Sequence, residues 1–207
     1  PQIKPYVKRL FSAGILQDNS SKGIANLGRF FSETGTAPGI DHHLLQALLK
    51  ELENKIPDEL SNYAAWLEFS AKWAVITSLS LSQQKLPAEF SKMHDRIESK
   101  FSAWLQGHYH SLVSLPPQTP VMVHHIIRSA SRKLSSGTIR KFALIVMDGL
   151  AFNQWAAISP FLEKSYAMSV TGCFAWIPTL TCISRQAIFA GCQPALFPAS
   201  INTTNKE

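Results

Sequence analysis

KFALIVMD, residues 141–148, is the stretch on which the fold reading turns: six consecutive apolar residues without polar alternation, opened by a lysine and closed by Asp148 and Gly149. An unbroken apolar run bounded by a turn signal reads as a strand buried on both faces, the kind found at the centre of a parallel sheet. Residues 149–162 then read as a helix, 165–177 as one or two strands, and 182–190 as a helix stopped by Gly191. Strand, helix, strand, helix predicts an α/β layer fold with a parallel sheet.

Upstream the pattern changes. LLQALLKELENKI (44–56) repeats leucine at helical spacing after Asp41, a candidate N-cap, and stops before Pro57. Residues 60–81 and 90–113 carry tryptophan, phenylalanine and tyrosine three or four apart, which reads as core between packed helices. LPPQTP (115–120) cannot continue a helix. The expected division is a helical region over 1–115, a proline-rich linker and connecting helix over 116–140, and an α/β domain over 141–207.

The 207 residues are 45% hydrophobic, enough for a core, and no run approaches the ~18–20 apolar residues of a membrane span. The opening PQIKPYVKRL has no apolar signal region, so the expected compartment is the cytoplasm. The chain opens on Pro1, which suggests a processed or excised piece of something longer. Cys173, Cys182 and Cys192 form neither an even set nor a CxxC pair, against a disulfide framework or a cysteine zinc site. The net charge of +6 is unevenly spread: no acidic residue lies between Glu98 and Asp148, where Lys100, Arg128, Arg132, Lys133, Arg140 and Lys141 fall. Such a basic band suits phosphates, including nucleic acid, although a solvated connector has the same composition.

In parallel sheets ligands bind beyond the carboxyl ends of strands, where Asp148 and Thr181 are both expected. Gly149 allows a sharp turn that leaves the Asp148 carboxylate exposed as a hard oxygen donor for a divalent cation. Thr181 falls in a first helical turn, where N–H groups favour an anion, and Arg185 one turn on adds a charged donor for phosphate. A threonine hydroxyl is a poor nucleophile until a base or a metal removes its proton. The competing readings make Thr179 and Thr181 helix caps and Cys182 a small buried hydrophobe or a thiol nucleophile. The adjacent pairs His42–His43 and His124–His125 diverge by ~100° on a helix and read as structural. No dinucleotide, P-loop, zincin or hydrolase-elbow motif is present.

Together ALIVMDGLAFNQW (143–155) and IPTLTCISRQAIFAGCQP (177–194) resemble the opening motifs of the PglZ domain family of the alkaline phosphatase superfamily, typified by a component of the BREX phage-defence systems. FSAWLQGHYHSL and VMVHHI resemble the region just before that domain, so the likeness spans roughly 61–207. It implies that Asp148 ligates a divalent metal, zinc in the first place with manganese or magnesium as alternatives. It also implies that Thr181, the second threonine of PTLT, is the metal-bound nucleophile. Other BREX components are the implied partners; the basic band adds nucleic acid as a further candidate, and the lack of a long apolar run leaves no membrane expected. The superfamily completes its centre with downstream Asp and His residues, yet none follows Thr181 here. The chain is therefore expected to be part of a phosphatase or phosphodiesterase, inactive and nearly metal-free by itself. The alternative is a non-catalytic scaffold of the defence complex.

Overall fold

The computed structural model describes residues 42–80, 88–116 and 119–201. Six α-helices are present among them: α1 His42–Glu53, α2 Tyr63–Ser80, α3 Ala88–Val113, α4 His125–Ser135, α5 Phe152–Leu162 and α6 Thr181–Ala190, followed by a 3-10 turn at Pro194–Leu196. The Asp41 cap lies outside the described residues.

The first three helices bury apolar side chains in one core. In α1 these are Leu45, Leu49 and Leu52, in α2 Trp66, Phe69 and Ile76, and in α3 Met93, Ile97, Trp104 and Leu112. The α1–α2 turn is tied by Asp58, whose Oδ1 accepts from the Leu60 N–H and the Ser61 hydroxyl, and by Asn62, whose Oδ1 accepts from the Ala65 N–H at the head of α2. Trp104 then donates its indole N–H to the Ser61 carbonyl at 2.7 Å, fixing α3 against that turn. The aromatic stripes of α2 and α3 are core: Trp66 lies against Phe101 and Trp104 at 5.1 and 5.8 Å between ring centroids.

The later half of the chain joins the same core. Phe174 stacks on Phe101 (6.3 Å, 9°) and leans on Trp104. Its backbone exchanges two hydrogen bonds with residues 121–123: Phe174 N–H to Val121 carbonyl at 2.7 Å and Val123 N–H to Phe174 carbonyl at 3.0 Å. This parallel bridge centred on Met122 and Phe174 is the single β pairing among the described residues. A second seam sets α5 on α2 through Ala156 against Val75 and Leu79.

The expected α/β fold is therefore corrected. Among the described residues the protein is helical, and no strand or sheet forms at 141–148 or 165–177. A parallel strand has its N–H and C=O groups satisfied only by neighbours on either side, and none of the described residues takes that place. Ile145 is 83% exposed, with Phe142 and Met147 also on the surface. An apolar run records fitness for burial, and the described part of this chain does not bury this one.

Helix α6 packs on α4 and ends at Gly191, which adopts φ +62°. A Cβ there would stand 2.7 Å from Ile127 Cγ2 of α4. Gly191→Ala thus adds a left-handed backbone penalty to an overpacked contact, and is expected to destabilise the chain by about 2–3 kcal/mol. Urea unfolding should show a lower midpoint at unchanged slope.

Candidate functional site

Asp148 sits at the turn that closes the exposed apolar run. Gly149 takes φ +69° and Leu150 N–H reaches back to the Met147 carbonyl, so the carboxylate is thrown outward into solvent. Ala151 heads α5, its N–H held at 2.9 Å by the Gln154 side chain, which sets the helix directly behind the turn.

Thr181 is the first residue of α6. The N-cap is Leu180, whose carbonyl accepts from the N–H groups of Ile183 and Ser184, and no side chain caps the helix. The capping readings of Thr179 and Thr181 are thereby set aside. Instead the Thr181 hydroxyl donates to Asp148 Oδ1 at 3.4 Å, a long hydrogen bond across 33 residues. Among the described residues no sheet brings the two together; the Gly149 turn and the start of α6 face one another.

The first N–H groups of a helix have no partner inside it and carry its positive end, so the Thr181 hydroxyl lies where an anion is favoured. Arg185 follows one turn later on the same helix face and is half-buried. Gln186 is buried, donating to the Cys182 and Ser200 carbonyls at 2.7 Å while its Oε1 accepts from the Ser200 hydroxyl. That clamp fastens residue 200 to α6, a role not legible in the SRQ triplet itself.

Of the basic band, Arg128, Arg132 and Lys133 project from α4, the last two in its final turn where cations offset the carbonyl end of the helix. Arg140 and Lys141 are exposed at the entry to the apolar run, whereas Lys100 is half-buried on α3. Burial pushes the Cys173 thiol up to about 11, which disfavours the thiolate.

His124 and His125 are buried beneath Trp176, with His124 5.2 Å from its ring. His125 Nδ1 accepts from the Val121 and Met122 N–H groups at 3.3 and 3.2 Å, which places its proton on Nε2. Burial holds His125 below its ordinary value and brings His124 down to about 4, with the neighbouring His125 and Arg128 adding to the latter effect. Among the described residues no three His, Cys, Asp or Glu side chains gather for a metal.

Tyr109 lies within FSAWLQGHYHSL but carried no functional reading there. From α3 its hydroxyl accepts the Ile177 N–H at 2.8 Å, and its ring meets Trp176 edge-on.

The motifs around Asp148 and Thr181 lie in a stretch that matches one known family. Residues 127–205 match the BREX system PglZ alkaline phosphatase-like domain. Neither the curated proteins nor the solved structures give a match. The PglZ stretch begins inside α4 and takes in Asp148, Thr181 and Arg185, while α1–α3, Tyr109 and the histidine pair lie upstream of it. No helix among the described residues is long and apolar enough to cross a membrane.

Alkaline phosphatase-like families are generally metal-dependent. Two oxygens each ~2.1 Å from one ion stand roughly 3.0 Å apart on an octahedron and roughly 3.4 Å on a tetrahedron, so the Asp148–Thr181 separation suits two ligands of a single divalent cation. They fit as part of a coordination shell, and among the described residues no third His, Cys, Asp or Glu side chain joins them.

Proposed function

We propose that Asp148 and Thr181 form the ligand and nucleophile of a metal-dependent phosphoester hydrolase acting in BREX phage defence. The observation that carries this reading is the hydrogen bond from Thr181 to Asp148 at the head of α6. As an acceptor, the carboxylate orients the hydroxyl and leaves an oxygen lone pair available for attack on phosphorus. The α6 N-terminus then receives the non-bridging phosphate oxygens, with Arg185 a turn away to neutralise charge that builds during transfer. Attack forms the Thr181 O–P bond as the hydroxyl proton passes to Asp148, and breaks the ester bond to the leaving group, which departs as the alcohol after taking up a proton; water then cleaves the Thr181 phosphoester, releasing phosphate and restoring the hydroxyl. A divalent ion held by Asp148 and Thr181 would lower the hydroxyl pKa and screen the phosphate charge. Zinc is the preferred ion, with manganese or magnesium as alternatives, and the remaining ligands make up the rest of the shell.

Manganese titration of the natural polypeptide that carries this segment, followed by NMR, tests the ligand assignment. Paramagnetic broadening centred on Asp148, Gly149 and Thr181, and abolished by Asp148→Asn, is the expected result. Broadening that ignores this substitution would remove Asp148 as a ligand.

A second reading, a scaffold that docks other BREX components, is favoured by the exposed side chains of Phe142, Ile145 and Met147. Metal content separates the two, since a scaffold has no need of a stoichiometric divalent ion. The exposed arginines and lysines of α4 and of residues 140–141 are compatible with nucleic acid under either reading.

A further inference from the structure

We infer that Tyr109 is a positioning residue for Thr181, so that the helical region upstream of the PglZ stretch forms part of the site; this rests on the reading of Thr181 as nucleophile. The path is short and continuous. The Tyr109 hydroxyl, rigidly presented by the long helix α3, holds the Ile177 N–H at 2.8 Å. Three residues later the Leu180 N–H closes a tight turn on the Pro178 carbonyl at 2.8 Å, and Leu180 caps the helix that Thr181 begins. Immediately before the anchored amide, Trp176 is wedged between Tyr109, edge-on at 6.3 Å, and His124 at 5.2 Å.

Residues 177–180 are themselves exposed and bury little that could hold them. Their placement therefore depends on the two ends, and at the upstream end the polar tie comes from Tyr109. Among the described residues, the Thr181 hydroxyl is held by Asp148 alone, at the long distance of 3.4 Å. A shift of about 1 Å in the loop would part the hydroxyl from Asp148, and misplacement of that size can cost a reaction about a hundredfold.

Tyr109→Phe removes the hydroxyl and keeps the ring against Trp176, so the variant should fold. Three readouts apply. Hydrogen exchange at the Ile177 amide is expected to quicken roughly three- to tenfold, the worth of one net hydrogen bond. The three-bond couplings across the Thr181 χ1 torsion should pass from one rotamer to an average. Phosphoester turnover, measured with p-nitrophenyl phosphate and bis-p-nitrophenyl phosphate in the natural polypeptide that carries this segment, should lose about tenfold or more in kcat at unchanged KM. Unaltered exchange or an unaltered Thr181 rotamer overturns the inference, as does an unaltered kcat in an active protein. An averaged rotamer in a protein that shows no turnover before mutation would uphold the positioning and sink the hydrolase reading instead.

Discussion

Acidification from pH 6.5 to 4 is expected to remove on the order of 3 kcal/mol of stability through His124 alone. Its imidazole is 3% exposed, and burial, seconded by His125 and Arg128, lowers it from 6.5 to about 4, with the Val113 carbonyl opposing the shift. Above pH 6.5 the ring is neutral whether the chain is folded or not, and His124 contributes no pH dependence. Between 6.5 and about 4 the unfolded chain takes up a proton that the folded one refuses, so stability falls as pH falls. Below about 4 both states are protonated and the slope from this residue ends. His125, lowered chiefly by burial and with two N–H donors aimed at Nδ1, adds to the loss in the same direction.

Urea unfolding of wild type and His124→Phe at pH 7 and pH 4.5 measures the effect, since the phenyl ring can occupy the place beside Trp176 without titrating. The difference between the two proteins should shift in favour of the variant as pH falls. Carboxylates cancel in that comparison, including Glu51, Asp58 and Glu68, whose side-chain hydrogen bonds lower them, and Glu163, which burial raises. Parallel pH profiles for wild type and variant would mean that His124 is not held neutral.

Thr181→Ala should lower phosphoester turnover by at least about a thousandfold in the natural polypeptide that carries this segment, because loss of an attacking atom is among the most severe single changes a catalytic centre can suffer. Asp148→Ala should be of similar severity for a different reason: the metal loses a ligand and the hydroxyl its hydrogen-bond acceptor at once. Thr181→Ser keeps the oxygen and should retain measurable activity. Cys182→Ser, one residue into α6, should be nearly silent. The opposite pattern, with Thr181→Ala active and Cys182→Ser dead, would replace the hydroxyl mechanism by a thiol one. The 207-residue chain assayed by itself should show no turnover with zinc, manganese or magnesium, since two donors leave most of the coordination shell to water.

The helices of the first half were legible because their stripes are periodic: leucines of α1 and aromatics of α2 and α3 recur at the spacing that one buried face demands. Residues 141–148 were misread because an unbroken apolar run has no period. It carries no information on what neighbour would cover it, and Ile145 in fact faces solvent. The bridge between Met122 and Phe174 involves too few residues to leave a pattern. The nearness of Asp148 and Thr181 was legible from local chemistry, a glycine turn and a helix start, and those same features bring them together although no sheet forms among the described residues. Tyr109 escaped because a tyrosine at helical spacing among tryptophans looks like packing, and the partner of its hydroxyl is an amide 68 residues away.

Phe174 packs between α3 and the segment that leads into α4, and α5 rests on α2. A gene segment cut at the borders of the PglZ match would carry away one side of each contact and leave the other bare. Trp104, Phe101 and Val75 would face water in one product, and Phe174 and Ala156 in the other. Neither piece would make a clean module for recombination or for separate expression, and each is expected to aggregate. What can be inherited and moved as a unit is therefore larger than what sequence comparison recognises, reaching back at least to the tryptophan-rich helices.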